Sequence, residues 1–113
     1  MAEEYSEINF KVKLDENKIP TEIEWAATDQ KKLSKCKAAF ISIWDETENN
    51  TLKLDLWTKD MLMDEMKNFY HQQLLTMADT FERATGDDKM GATMRDFCDY
   101  FAEKMEIDTG EEK

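Results

Sequence analysis

Two cysteines, one histidine and a surplus of carboxylates are the side chains of this 113-residue chain whose types invite a catalytic or metal reading. Cys98 stands in "DFCDYFAEKM", between aspartates and phenylalanines, as either a reactive thiol or a packing residue. A reactive thiol needs its pKa lowered by a neighbouring base or a helix N-terminus. Asp96 and Asp99 oppose a thiolate, and helical spacing sets Cys98 on a stripe with Phe97 and Phe101, so packing is expected. His71, in "FYHQQL", has no acid three or four residues away. It reads as a solvated or interface histidine rather than a general base. One histidine and two distant cysteines, Cys36 and Cys98, do not make a zinc site. "TGDDKMG" lacks the ligand alternation of a calcium loop, and its aspartates read as helix caps. Three glycines leave little room for a phosphate loop, and no nucleophile elbow or dinucleotide fingerprint occurs. The expectation is no catalytic residue, no cofactor and no metal.

The elements that carry these residues divide at about residue 58. Before it the hydropathy alternates with period 2, as strands require. Ile8, Phe10, Val12 and Leu14 point one way, and Asn9, Lys11 and Lys13 the other. "DENKIP" makes a turn, after which Ile23, Trp25 and Ala27 oppose Glu22 and Glu24. The polar stretch 28–35, "TDQKKLSK", reads as a loop or a single helical turn. In "KAAFISIWDETENNTLKLDLWT", Ala39, Ile41 and Ile43 form one face of an outgoing strand, and Leu52, Leu54 and Leu56 one face of its return. A loop with an even number of residues sets the isoleucines beside the leucines, whereas an odd one would set Ile43 against Lys53 or Asp55. The pattern specifies the even loop.

From Asp60, a candidate N-cap, the period becomes 3.6. Met66, Phe69, Tyr70, Leu74, Met77, Phe81 and Ala84 lie on one stripe, and Gly86 is placed to end the helix. Asp87 or Asp88 caps a second helix with Met90, Met94, Phe97, Cys98, Phe101 and Met105 on its stripe. The expected fold is α+β, a four-stranded antiparallel sheet followed by two C-terminal helices packed on one face. A single domain is expected over 1–113, with the sheet in 1–58, the helices in 59–107 and a solvated tail at 108–113.

Composition excludes several partners. A chain of this length buries roughly 65% of its unfolded surface, enough for one core. Its 41% hydrophobic and 11% aromatic content argues against disorder. The net charge is −11, of which residues 1–58 contribute −4 and residues 59–113 contribute −7. The local cluster Lys31, Lys32, Lys35 and Lys37 is the only basic one, so nucleic acid and anionic membranes are disfavoured as partners. The acidic N-terminus has no apolar secretory segment, no run approaches the roughly 20 residues of a membrane span, and two scattered cysteines make no disulfide framework. A soluble cytoplasmic protein is expected.

One surface stands out. The register that pairs the isoleucines with the leucines sends Phe40, Ser42 and Trp44 to the opposite face, together with Lys53, Asp55 and Trp57. Either strand ends and loops fold over Phe40, Trp44 and Trp57, or these residues form an interface with a second protomer or a bound polypeptide. Apolar patches with charged rims mark contacts, and tryptophan is a favoured anchor.

The stretches "INFKVKLDENKIPTEIEW", "SIWDE", "LKLDLWTKDM", "DEMKNFYHQQLLTMADTFERAT" and "TMRDFCDYFAEKMEI", in this order, resemble the gliding-motility protein GldC family over nearly the whole chain. The resemblance implies a cytoplasmic accessory of bacterial gliding motility, encoded with machinery linked to type IX secretion, and no catalytic or metal residues. The order of strands then helices is also similar to the export chaperone SecB, by topology alone. That likeness implies a homo-oligomer and, as the alternative function, a holdase for an exported client.

Overall fold

A computed structural model describes residues 4–30 and 32–108 of the chain. It is an α+β protein with two C-terminal helices, but its strands form two antiparallel sheets rather than one of four. β1 (Ile8–Leu14), β2 (Pro20–Ala27) and β3 (Ser34–Cys36) make a three-stranded sheet in that order. β4 (Ala38–Asp45) and β5 (Asn50–Trp57) make a separate two-stranded ribbon. Two compact units result, Met1–Met61 and Leu62–Lys113.

In the first unit, β1 and β2 pair with Val12 opposite Ile23 and Phe10 opposite Trp25, which gathers the apolar alternation on one face. Ile23 is fully buried there. The other face is a ladder of alternating charge, in which Lys11 lies opposite Glu24 and Glu24 opposite Lys35. Lys35 Nζ also lies 3.6 Å from Glu22 Oε1. Opposite charges at facing positions stabilise a pairing register, while like charges would oppose it. The β1–β2 turn is built by Asp15, whose Oδ1 accepts from Asn17 N–H at 2.8 Å and Ile19 N–H at 3.0 Å. Those bonds hold Lys18 at a φ of 65°.

The expected loop holds for residues 28–30 and 32–33, but β3 corrects it at Ser34 and Lys35. Its three residues pair Cys36 with Ile23 and Ser34 with Trp25. The expected single sheet breaks at Lys37, between β3 and β4. There the Lys37 carbonyl accepts from Thr58 N–H at 2.8 Å, so the chain turns from β2 to a new partner, β5. The ribbon has the register that parity required: Ala39 opposite Leu56, Ile41 opposite Leu54 and Ile43 opposite Leu52. Asn49, at a φ of 55°, closes its four-residue loop.

The second unit is a helical hairpin of α1 (Met63–Thr85) and α2 (Asp88–Lys104). Asp60 is not the cap of α1. The helix starts after Leu62, whose N–H donates to Glu65 Oε1 at 2.9 Å, while Asp60 accepts from the Thr58 hydroxyl. Gly86 ends α1 in the left-handed conformation, φ 76°, with its N–H on the Glu82 carbonyl. Asp87 then caps α2 by accepting from Met90 N–H at 2.9 Å.

The seam between the helices uses small residues. Ala78 on α1 and Gly91, Cys98 and Ala102 on α2 are all buried. A Cβ placed on Gly91 would come within 3.2 Å of Glu82 Cβ, so the glycine permits close approach of the helices. Arg95 staples the seam, donating to Asp79 Oδ1 at 2.9 Å and Glu82 Oε1 at 2.8 Å. Of the tail expected at 108–113, residues 109–113 lie outside the described residues, as does Lys31 of the basic cluster.

Candidate functional site

Cys98 is 1% exposed in the helical seam. Burial pushes its thiol above the ordinary cysteine value, and the nearby Asp99 carboxylate pushes it further the same way. It is therefore a packing residue, set against α1 rather than on the half-exposed side that holds Phe97. Cys36, half-buried on β3, is also raised, by burial first. Neither thiol has the lowered pKa of a nucleophile.

His71 departs from the solvated side chain considered for it. It is 8% exposed and stacks on Phe101, with ring centroids 6.3 Å apart and planes 10° from parallel. It forms part of the floor of an open groove whose walls include Asn68, Gln72, Asp99 and Glu103. Among the described residues no group of three or more His, Cys, Asp or Glu is disposed to hold a metal ion.

The ribbon carries the other expected site. Phe40, Ser42 and Trp44 on β4 share a face with Thr51, Lys53, Asp55 and Trp57 on β5, because facing pairs in the register point the same way. Phe40, Trp44 and Trp57 do lie on one face, but they are not one compact cluster. Trp44 faces Thr51 near the turn, whereas Trp57 faces Ala38 at the root. Six residues of strand separate these levels, roughly 20 Å at strand rise. Between them Lys53 Nζ sits 4.9 Å from the centre of the Phe40 ring and 2.5 Å from Asp55 Oδ1. The face is thus a strip with an indole at each end and a charged, ring-stacked middle. Trp44 is 65% exposed and Trp57 52%.

Sequence reasoning missed how much of the opposite face is also open. Ala39 is buried at the root, but towards the turn Ile43, Leu52 and Leu54 are each about half exposed. A two-stranded ribbon has no third strand to hide its tip. Thr58 was missed as well. It is 2% exposed and anchors the root, with its N–H on the Lys37 carbonyl and its hydroxyl on Asp60. That hydroxyl is the main reason the Asp60 carboxyl titrates below the usual carboxylate range. Nothing in the spacing of "LWTKD" marks this threonine as buried.

Residues 20–107 match the family model described as gliding motility-associated protein GldC-like. The chain belongs to this GldC-like family. The match begins with β2 and runs through the ribbon and both helices, so the candidate face lies inside it. No curated protein and no solved structure matches this GldC-like chain. Among its described residues no helix is long and apolar enough to cross a membrane.

Proposed function

We propose that this GldC-like protein is a non-enzymatic cytoplasmic accessory of gliding motility that acts by protein contact. Family membership carries the association with gliding motility. The outer face of the β4–β5 ribbon carries the contact reading, through two tryptophans more than half exposed at either end of a strip with Phe40 between them. A monomer has little reason to expose two indoles on one strand face, whereas interfaces use tryptophan as an anchor that desolvates a large area at low entropic cost. Lys53 and Asp55 supply a charged middle that fixes register with a folded partner. The partner belongs to the motility machinery and its linked type IX secretion apparatus, and the protein itself works as a homo-oligomer.

A SecB-like holdase is the second reading, favoured by the half-exposed Ile43, Leu52 and Leu54 on the ribbon's other face. A chain that holds unfolded clients needs a long apolar track, and the ribbon tip offers apolar side chains on both faces. The Lys53–Asp55 pair interrupts one of them.

Photo-crosslinking separates the two. A benzoylphenylalanine replacing Trp44 in living gliding cells should give one discrete adduct with a motility or secretion component. A ladder of adducts with many exported proteins would favour the holdase. Absence of any adduct, with the variant folded and present at normal level, would contradict both readings.

A further inference from the structure

The helical hairpin has two unlike sides. The seam uses His71, Leu75, Ala78 and Glu82 of α1 against Gly91, Arg95, Cys98 and Ala102 of α2, each set spaced i, i+4, i+7, i+11. On one side of it lies the polar groove, where Asn68 and Gln72 face Asp99 and Glu103. In an antiparallel pair the opposite flanks of both helices then share the other side. That side carries Met63, Met77 and Phe81 from α1 and Met90 and Phe97 from α2, exposed by 76%, 58%, 37%, 46% and 52% respectively.

Charge is partitioned with equal clarity. The two helices hold eight carboxylates, at Asp64, Glu65, Asp79, Glu82, Asp88, Asp96, Asp99 and Glu103. At 100° per residue none of them falls on the apolar side. In a chain of net charge −11 that exclusion leaves a face with no like-charge penalty against a copy of itself. Lys67 and Lys104 flank it, both at the end where α1 begins and α2 finishes, and Asp87 and Asp88 occupy the turn at the other end.

We infer that this face binds the same face of a second copy, forming a four-helix interface about a two-fold axis perpendicular to the helices. Size and charge select this occupant. The five exposed side chains present on the order of 600 Å², and their half-buried neighbours Met66, Leu74 and Phe101 bring the patch near the roughly 800 Å² per partner of a stable complex. An isologous contact needs a patch complementary to itself. With the two-fold across the helices, Lys67 and Lys104 of each copy approach the Asp87–Asp88 turn of the other. With the two-fold along the helices, lysine would meet lysine. The acidic sides face outward in both copies.

This inference rests on the homo-oligomer part of the proposed function and not on the ribbon contact, and its test keeps the two surfaces apart. Light scattering over a dilution series should show a species of at least twice the chain mass that dissociates to monomer on dilution. Met77→Glu with Phe97→Glu should leave monomer at every concentration, with helical circular dichroism retained. Should that variant unfold, the flanking charges still decide the matter. Lys67→Glu with Lys104→Glu should weaken association about ten-fold or more, and adding Asp88→Lys should recover most of the loss. Trp44→Ser with Trp57→Ser should leave the mass unchanged. A wild-type monomer at all concentrations would overturn the inference. So would a mass insensitive to the lysine swaps, or dissociation caused by the tryptophan pair.

Discussion

Asp15 and the two cysteines show how local surroundings set what a side chain does. The Ile19 backbone N–H, and after it the Lys59 ammonium 3.1 Å away, hold the Asp15 carboxyl below the usual carboxylate range. A carboxyl whose folded pKa is depressed stabilises the fold fully above its unfolded value, about 4, and loses that contribution as pH falls through the folded value. The melting temperature of Asp15→Asn should therefore lie below wild type by a constant gap from pH 7 to about pH 5, and the gap should close under acid. A gap unchanged at pH 3 would show that Asp15 acts without its charge. The cysteines should differ in rate. Cys36, half-buried, should react with a maleimide well before Cys98, which should label only as the helical pair opens. The packing role of Cys98 could be read from its aspartate neighbours and helical spacing. The burial of His71 could not, because it depends on Phe101 from another helix.

At the scale of elements, parity was the legible signal. A period-2 pattern broken by a four-residue loop admits one register for β4 and β5, and a slip by one residue would invert every side chain. β3 gave no such signal, since three residues cannot display a period. The separation into two sheets followed from that gap: without β3 the bend at Lys37 has no reason to exist. The helical stripes misled in a related way. Large apolar residues dominate a hydrophobic pattern, but the seam is made of Ala78, Gly91, Cys98 and Ala102, which contribute little to it. Gly91→Leu should accordingly force the helices apart and cost roughly 2 kcal/mol in denaturant unfolding. An unchanged midpoint would mean that the seam is loose. Asp87→Ala should cost about 1 kcal/mol by removing the cap bond to Met90 N–H.

At the largest scale, the main fact is how little each of the two compact units buries by itself. Among the described residues only Ile23, Ala39, Ala78, Cys98 and Ala102 form a hydrophobic interior, while large apolar side chains stand exposed on the ribbon and the helical pair. Folded monomers usually bury such residues, and proteins that leave them open as contiguous patches use them for contact. The surplus negative charge makes copies that meet at other, acidic surfaces repel one another. A protein of the GldC-like family with this surface is suited to the contact role proposed above. The most direct measurement is colony spreading by a gliding bacterium whose chromosomal copy carries Trp44→Ser with Trp57→Ser, alongside immunoblots of protein level. Loss of spreading with a folded variant at wild-type abundance is the expected result. Normal spreading by that strain would show that the ribbon face is not the working surface.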